Sequence, residues 1–425
     1  MLNHKEILDL RSKHLGPSLS VSYDEPLHIV RGKEQYLFDA KGNRYLDCVN
    51  NIQQVGHCHP KVVEAAQQQY KKLNTNTRYL DATSVNYAKN ITSTLPAGLE
   101  VCFFTNSGSE ANDLALRLAR QFTGSKATIV LDGAYHGNLS SLIEISPYKH
   151  NGPGGSGTPD HVHVIPIPDQ YRGKYRGEEC SEQYVLEVQN AIETIQNNGK
   201  NVSAFIAEAL MGCGGQLILP KGFLKESFIK VKNAVGVCIA DEIQIGFGRM
   251  GSHFWGFESE GAIPDVVTMG KSMGNGHPLS AVVTTQEIAD SFNNGMEYFN
   301  SFGGNPVSCA VGQAVLDVIK EEGLQENALA VGSYLLDQLK NLQNQHDLIG
   351  EVRGRGLFIG IELVKDELVP AAAESQTIVN NMKDKGLLLS TDGPDHNVIK
   401  IKPPLVFNKE NADDLVKKLD ETMTE

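Results

Sequence analysis

Short apolar runs alternate with amphipathic segments through the middle of the chain. The apolar runs predict buried strands at residues 101–105, 128–131, 202–207, 235–240 and 265–269. Between them, apolar side chains recur on one face with a helical period, which predicts helices at residues 110–122, 183–196 and 222–233. Strands that alternate with helices are typical of an α/β domain with a mainly parallel sheet.

The pattern changes towards both ends of the chain. A helical stretch at 307–321 is followed by strand-like runs at 356–363 and 398–401, which predict a smaller α+β domain. Near the start, residues 36–39 and 45–47 flank a Lys-Gly-Asn turn and predict a hairpin. We therefore expect an N-terminal arm and hairpin at 1–50, a large domain at 51–310 and a small C-terminal domain at 311–425.

Composition and charge narrow the possible functions. The formal net charge of −13 argues against a nucleic-acid partner, and no apolar run reaches the length of a membrane span. The first residues contain no apolar signal segment, and the seven cysteines include no CxxC pair, so we expect a cytoplasmic protein. His57 and His59 lack a third ligand at a suitable spacing, and we expect no metal site.

Lys271 is the strongest candidate for chemistry. It ends an apolar strand and precedes a glycine-rich elbow at 272–276. Desolvation at such a position lowers the pKa of a lysine, and its neutral amine can then attack a carbonyl, as a Schiff-base lysine must. Asp241 ends another apolar strand, and an acid and a lysine at two strand ends would fit a pyridoxal phosphate site. Taken alone, Asp241 is better explained as a surface acid at a strand end.

The loop that contains Ser107, Gly108 and Ser109 joins a strand to a helix. Ligands of an open α/β sheet bind at the carboxyl ends of its strands, and a helix N-terminus there suits a phosphate. Ser109 could instead simply cap the helix. Tyr135 follows another strand, where an aromatic side chain can stack on a flat ring or serve as an ordinary interface residue.

The residues around Asp241 suggest how a pyridine ring would be held. A carboxylate beside the ring nitrogen keeps that nitrogen protonated, and the protonated ring accepts electrons from a carbanion. Gln244 lies three residues further on and could donate to the ring hydroxyl. Ile243 would point the other way and could pack on the ring face.

These segments together resemble class III (subgroup II) aminotransferases. The matching motifs are NSGSEA at 106–111, YHG at 135–137, ADEIQIGFGR at 240–249, MGK at 269–271, SFGGNP at 301–306 and RGRG at 353–356. The resemblance covers nearly the whole chain. It implies the fold-type I architecture of pyridoxal phosphate enzymes, with a large domain built on a mainly parallel sheet and a smaller α+β C-terminal domain. It also implies a homodimer with shared active sites.

The resemblance assigns a role to individual residues. Lys271 carries the cofactor and, with Asp241 at the ring nitrogen, forms the catalytic pair. Ser301 matches a threonine whose hydroxyl reaches the cofactor phosphate from the partner subunit. The expected cofactor-binding set is Ser107, Gly108, Ser109, Tyr135, His136, Glu208, Asp241, Ile243, Gln244, Lys271 and Ser301.

One departure concerns the binding of a substrate carboxylate. The family commonly has a glutamate that gates a substrate-binding arginine, and here Cys213 stands at that position. Arg353, if it is the matching arginine, has therefore lost its partner. A transaminase must accept two substrates in one site, whereas a lyase needs no second one. Many aminotransferases also lack this glutamate, so the departure alone leaves both readings open.

A closer similarity is to the ethanolamine-phosphate and phosphohydroxylysine phospho-lyases. It is carried by LGPS at 15–18, NTNTR at 74–78, YRGKYR at 171–176, CGGQ at 213–216, MEYFN at 296–300 and KIKPP at 400–404. It implies elimination of phosphate from a phosphorylated amine, with O-phosphoethanolamine as the first candidate and 5-phosphohydroxylysine as the second. A leaving phosphate needs nearby cations. Arg353 and then Arg78 are the first choices, followed by Lys400 and Lys402.

Three other functions remain as alternatives. An ω-aminotransferase that transfers an amino group from an amine to pyruvate, glyoxylate or 2-oxoglutarate would share every cofactor contact. A cofactor-binding protein without turnover is disfavoured by the intact pair of Lys271 and Asp241. A dinucleotide-binding dehydrogenase is disfavoured because no GxGxxG motif lies between a strand and a helix.

Overall fold

The amino-terminal region combines helices with a small antiparallel sheet. The computed structural model describes residues 2–425. The predicted hairpin is present, and its turn is closed by Asp39, whose carboxylate accepts hydrogen bonds from the backbone of Lys41 and Asn43. The elements are α1 (His4–His14), β1 (Ile29–Lys33), β2 (Tyr36–Asp39), β3 (Arg44–Asp47), α2 (Pro60–Lys72) and α3 (Ala82–Thr92).

A seven-stranded sheet forms the centre of the molecule, in the order β4-β12-β11-β10-β7-β5-β6. Only β12 runs antiparallel to its neighbours, so all the other strands share one carboxyl edge. The strands are β4 (Val101–Thr105), β5 (Ala127–Leu131), β6 (Val162–Ile165), β7 (Val202–Ala207), β8 (Leu210–Met211), β9 (Leu217–Ile218), β10 (Val237–Asp241), β11 (Val266–Met269) and β12 (Ser280–Thr284), with β8 and β9 forming a separate pair.

Helices cover both faces of this sheet, and its inner strands are therefore buried throughout. The helices are α4 (Gly108–Thr123), α5 (Ser140–Glu144), α6 (Pro147–His150), α7 (Ser181–Asn197), α8 (Phe223–Asn233) and α9 (Gln286–Phe292). α4 begins two residues before the predicted start because Ser107, whose hydroxyl accepts from Glu110 N, caps it. It ends at Gly124, which takes the left-handed conformation.

The carboxyl-terminal part contains a second sheet, which is antiparallel and has the order β13-β14-β17-β16. Its elements are α10 (Pro306–Glu321), α11 (Leu324–Gln343), β13 (Ile349–Arg355), β14 (Phe358–Leu363), α12 (Ala372–Asp384), β15 (Leu387–Leu388), β16 (Ser390–Asp392), β17 (Val398–Ile401) and α13 (Lys409–Thr424). The large mainly parallel sheet and this smaller α+β unit confirm the predicted fold class.

The amino-terminal hairpin does not stand apart from the rest of the chain. Strand β3 pairs in parallel with β15, and Tyr23 donates a hydrogen bond to the Leu389 carbonyl at 3.0 Å. Tyr23 and strand β3 therefore pack against the carboxyl-terminal part of the chain. The local pattern of residues 1–50 does not reveal this contact. No helix among residues 2–425 combines the length and the apolar composition needed to cross a membrane.

Candidate active site

Lys271 lies at the carboxyl edge of the central sheet, directly beyond β11. It opens a short 3-10 turn at a φ of 34°, a left-handed conformation that costs a non-glycine residue free energy. The Ser272 hydroxyl donates to Gln54 Oε1 at 3.0 Å, and Arg249 donates to the same oxygen at 2.6 Å. These buried contacts hold the turn that carries Lys271.

Most of the predicted site residues converge on one cavity of about 350 Å³. Because β4, β5, β7, β10 and β11 end at the same edge, the residues that follow them meet there, although they are far apart in the chain. From the predicted set, the cavity is lined by Ser107, Gly108, Ser109, Tyr135, His136, Glu208, Asp241, Ile243, Gln244 and Lys271.

Asp241 lies at the base of this cavity and is almost fully buried. Its Oδ2 accepts hydrogen bonds from His136 Nδ1 and Asn112 Nδ2, both at 2.8 Å. Its Oδ1 accepts from Ile243 N at 3.2 Å. Three donors fix the orientation of this carboxyl group at the cavity.

The strand-to-helix loop approaches the opposite side of the cavity. Gly108 N lies in the first turn of α4, where backbone N–H groups have no partner within the helix. A Cβ atom at Gly108 would lie 2.7 Å from Ile243 Cδ1, so only glycine allows this close approach. Ser109 Oγ accepts from Asn138 N at 2.9 Å and keeps its own hydroxyl proton available. The loop therefore has the donors and the space that a phosphate needs.

Tyr135 forms one wall of the cavity. Its ring meets the Tyr148 ring edge-on, with centroids 6.4 Å apart, and Lys149 Nζ lies 5.7 Å from its centroid. Burial, followed by the influence of Cys213, raises the pKa of the Tyr135 hydroxyl. The side chain is thus neutral at physiological pH and presents an aromatic surface to the cavity.

Glu208 supplies a buried carboxyl group at the end of β7. Its Oε2 accepts from Gly212 N at 3.0 Å, whereas Oε1 has no hydrogen-bond partner among the described residues. Burial, and then repulsion from Asp241, raises the pKa of Glu208. A carboxyl with an unsatisfied buried oxygen is unfavourable unless a ligand supplies the partner.

Gln244 is fixed from behind by two side chains. Its Oε1 accepts from Asn51 Nδ2 at 3.1 Å and from Lys402 Nζ at 3.0 Å. Because an ammonium can only donate, the oxygen of Gln244 must face Lys402. The amide nitrogen is therefore left as a donor for a group inside the cavity.

Ser301 and Arg78 lie outside the cavity of this chain. Both are exposed, and they lie in neighbouring segments of the surface. Arg78 donates to Glu297 at 2.9 Å and lies 4.1 Å above the Phe299 ring. A place for either residue in an active site therefore requires a second subunit.

Arg353 is also outside the cavity, and its donors are occupied within the chain. It is buried, forms ion pairs with Glu351 and Glu362, and donates twice to the Gly215 carbonyl, at 3.0 and 2.6 Å. Burial alone would lower the pKa of Arg353, but the two glutamates outweigh burial and raise it above its ordinary value. Arg172 pairs with Glu362 as well, so it belongs to the same cluster of charged residues.

Two residues at the site were not assigned a role from the sequence. Asn51 had no distinguishing signal, because it lies in an irregular segment. Asn112 did carry one: it is a polar residue on the apolar face of α4, beside Ala111 and Ala115, and such a residue needs a buried partner.

A profile of class-III aminotransferases matches residues 19–423. The chain belongs to this family. Its cofactor is pyridoxal phosphate. The cavity fits this cofactor: the glycine loop leaves room for a phosphate, Asp241 Oδ2 accepts two buried hydrogen bonds, and Glu208 Oε1 has no hydrogen-bond partner among the described residues.

Several relatives of this class-III enzyme carry different names. An "Alanine--glyoxylate aminotransferase 2-like" protein from Drosophila melanogaster is 51% identical, and the match covers 100% of this chain and 88% of the relative. An "Ethanolamine-phosphate phospho-lyase homolog 1" from Caenorhabditis elegans is 44% identical, with 99% and 93% covered. A phospholyase from Arthrobacter, solved in complex with phosphoethanolamine, is 41% identical, superposes with a TM-score of 0.94 and is matched over 99% of both chains.

Proposed function

We propose that this class-III enzyme is a phospho-lyase that eliminates phosphate from a phosphorylated amine. O-phosphoethanolamine is the first candidate, with acetaldehyde, ammonia and phosphate as products, and 5-phosphohydroxylysine is the second. The similarity to the Arthrobacter phospholyase and to the Caenorhabditis elegans homologue supports this proposal.

The state of Arg353 is the observation that carries the choice of substrate. Its guanidinium is neutralised by Glu351 and Glu362 and does not line the cavity. Cys213 stands where the family commonly has the gating glutamate, so no carboxylate at that position can pair with Arg353. A keto acid or an α-amino acid needs a cation for its carboxylate. Arg353 is already paired with two glutamates. A substrate such as O-phosphoethanolamine, which has no carboxylate, avoids that requirement.

The cofactor contacts follow from the cavity. Asp241 would hold the ring nitrogen protonated, and Gln244 and Glu208 would face the ring oxygen. Gly108 and Ser109, with Ser107, would receive the phosphate at the start of α4. The ring would lie between two walls, Tyr135 with its neighbour His136 on one side and Ile243 on the other.

Lys271 has two roles in the proposed reaction. It would hold the cofactor, and its amine, when free, would remove a proton from the substrate carbon that bears the nitrogen. Bound pyridoxal phosphate supplies an electron sink for the charge left on that carbon. The C–O bond of the adjacent carbon then breaks, and phosphate leaves with the bonding electrons. Water completes the release of acetaldehyde and ammonia.

The active site is proposed to be shared between two subunits. Ser301 and Arg78 lie beside an exposed apolar patch made of Tyr79, Leu80 and Phe302, with Phe302 71% exposed. An apolar patch of this kind marks an interaction surface. A partner subunit that covered it would bring Ser301 to the cofactor phosphate and Arg78 to the neighbouring cavity.

An ω-aminotransferase is the second candidate. The 51% identity to a relative named as an aminotransferase favours it, and the cofactor contacts would be the same. The two candidates differ in their need for a keto acid.

Product analysis distinguishes the two functions. The purified holoenzyme is incubated with O-phosphoethanolamine, without any keto acid, and released phosphate and acetaldehyde are measured over many turnovers. We expect equal and catalytic release of both. Phosphate at trace level, together with turnover that appears only when pyruvate, glyoxylate or 2-oxoglutarate is added, would contradict the proposal and support the aminotransferase.

A further inference from the structure

Two cavities meet beside the proposed cofactor site. The loop after β5 borders both of them: Tyr135 lines the cavity that contains Lys271, whereas Gly133 lines a second cavity of about 460 Å³. Tyr148 and Lys149 also line the second cavity. The Tyr135 and Tyr148 rings meet edge-on, with centroids 6.4 Å apart, so they form a wall shared by the two cavities. A ligand that extends from the cofactor cavity past Tyr135 therefore meets the groups on this wall.

Lys149 brings a positive charge to the shared wall. Its Nζ lies 5.7 Å from the centre of the Tyr135 ring and 5.5 Å from the centre of the Tyr148 ring. The side chain is exposed, and no carboxylate of a described side chain lies within ion-pair distance of it. An ammonium that only touches aromatic rings keeps its donors available.

Three other cations of this region are not free for an anionic ligand. Arg353 is paired with two glutamates, and Lys400 Nζ pairs with Asp392 Oδ2 at 3.2 Å. Lys402 is fully buried, and burial lowers its pKa. Lys149 differs from all three, because it is exposed and has no acidic partner among the described side chains.

Two neutral donors lie on the same wall. The hydroxyls of Tyr135 and Tyr148 have no hydrogen-bond partner among the described residues. Burial, followed by the influence of Cys213, raises the pKa of both hydroxyls, that of Tyr148 to about 12. Both groups are therefore protonated at physiological pH and can donate a hydrogen bond to an anion.

Cys213 keeps this wall free of negative charge. It is close to both tyrosines, and the Cα atom of the next residue, Gly214, lies 3.7 Å from where a Cβ at Gly133 would be. Burial raises the pKa of the Cys213 thiol to about 12, so the thiol is neutral. The glutamate that the family commonly has at this position would accept from the tyrosines and repel a phosphate.

We infer that the Tyr135–Tyr148 wall is the subsite for the phosphate of the phosphorylated amine, and that Lys149 determines specificity for that phosphate. The inference rests on the proposed function. Lys149 Nζ pairs with the phosphate, and the hydroxyls of the two tyrosines donate to its oxygens. The phosphate of the cofactor is a separate group, which is assigned to the Gly108 loop.

The test compares three variants of the holoenzyme with the wild type: Lys149→Met, Lys149→Arg and Tyr148→Phe. Binding of O-phosphoethanolamine and of ethylamine is followed by the change in visible absorption. We expect Lys149→Met and Tyr148→Phe to raise the Kd for O-phosphoethanolamine about tenfold and to leave that for ethylamine within about twofold. Lys149→Arg should retain most of the affinity. Lys221→Met, at another exposed lysine, is the matched control and should bind both amines as the wild type does.

Substitutions of Cys213 test the charge of the subsite independently. Cys213→Glu adds a negative charge beside the two hydroxyls and should raise the Kd for O-phosphoethanolamine at least about tenfold. Cys213→Ser is neutral and should bind this amine as the wild type does. A loss in Cys213→Glu that is equal for the two amines would contradict the subsite.

A purely structural role for Lys149 gives a different result. A lysine that only supported the Tyr135 ring would affect both amines and the cofactor alike. Because Lys149 is exposed, Lys149→Met should keep the wild-type Tm, and equilibrium dialysis should show unchanged binding of pyridoxal phosphate. An unchanged Kd for O-phosphoethanolamine, an equal loss for both amines, or weaker binding of the cofactor would overturn the inference.

The two proposals fail in different ways. If the wild type binds O-phosphoethanolamine through Lys149 but releases no phosphate, the lyase reaction is refuted and the phosphate subsite stands. If the wild type releases phosphate and Lys149→Met binds the phosphorylated amine equally well, the lyase stands and the role of Lys149 is refuted.

Discussion

His136 Nδ1 donates a hydrogen bond to Asp241 Oδ2 at 2.8 Å, beneath the cavity that contains Lys271. Asn112 donates to the same oxygen, so two buried donors hold the Asp241 carboxyl group in one orientation. The acid that we propose for the cofactor ring nitrogen is thus positioned by one residue of α4 and one from the loop after β5.

Asp241→Asn should reduce kcat by about 10²–10³-fold, because a neutral amide does not keep the ring nitrogen protonated. The cofactor should remain bound through the other contacts. Steady-state kinetics and the visible spectrum measure the two effects. Asp160→Asn, at an exposed position, is the matched control and should behave as the wild type. Full activity of Asp241→Asn would rule out the assigned role.

Lys271→Ala should lose the covalent attachment of the cofactor and about 10²–10⁴-fold or more of turnover. Borohydride reduction followed by peptide mass spectrometry should label the peptide of Lys271 in the wild type and no peptide in the variant. Lys174→Ala, on an exposed side chain, should keep both label and activity. A label on another lysine would refute the identity of the attachment site.

Gly108→Ala should weaken cofactor binding, because the new Cβ would lie 2.7 Å from Ile243 Cδ1. Overpacking of this kind costs about 1–3 kcal/mol. Equilibrium dialysis of pyridoxal phosphate gives the change in Kd. Adding Ile243→Val removes the clashing atom and should restore part of the affinity. Gly16→Ala, where a Cβ meets nothing closer than 4.0 Å, is the control. Equal affinity in Gly108→Ala would show that the close packing of Gly108 on Ile243 does not affect cofactor binding.

A shared active site predicts complementation between two inactive variants. Lys271→Ala lacks the attachment residue, and Arg78→Ala lacks the cation offered to the neighbouring subunit. If both variants are impaired, mixing them under conditions of subunit exchange should restore up to about one quarter of the wild-type activity, because half of the dimers then carry one intact site of two. Size-exclusion chromatography with light scattering checks the dimer. An absence of recovery in mixed dimers would contradict a site built from Lys271 of one subunit and Arg78 of the other.

The burial of Lys402 leads to a prediction of how the free energy of unfolding depends on pH. Burial lowers its pKa, so the folded state binds fewer protons than the unfolded state between that lowered pKa and the ordinary lysine value of about 10.4. The stability of the wild type relative to Lys402→Met should therefore rise as the pH increases through this interval. The groups that influence the pKa of Lys402 are present in both proteins and therefore cancel in the comparison. They are Asp392, Lys400, Cys213 and Glu208. Urea unfolding of the cofactor-free proteins measures the difference, and a difference that is constant with pH would exclude an uncompensated charge.

Local pattern predicted five of the seven strands of the central sheet, and among its parallel strands it missed only β6. The strands at 101–105 and 202–207 were predicted with the bounds that the structure has, because each is a short apolar run flanked by polar residues. β12 and β13 were not predicted. Their residues alternate weakly, and their stability depends on pairing with β4, β11 and β14, which are distant in sequence.

The sequence by itself determined which residues could hold pyridoxal phosphate, because Lys271, Asp241 and the Gly108 loop each follow a strand, and strands of one parallel sheet end at a common edge. Tertiary structure decided what the charged groups do. Arg353 was a candidate for the substrate, but two glutamates on the same small sheet neutralise it, whereas Lys402 is left unpaired beside Gln244. The interaction energy between a cation and the acids around it depends on the distance between them. That distance is set by packing rather than by spacing along the chain.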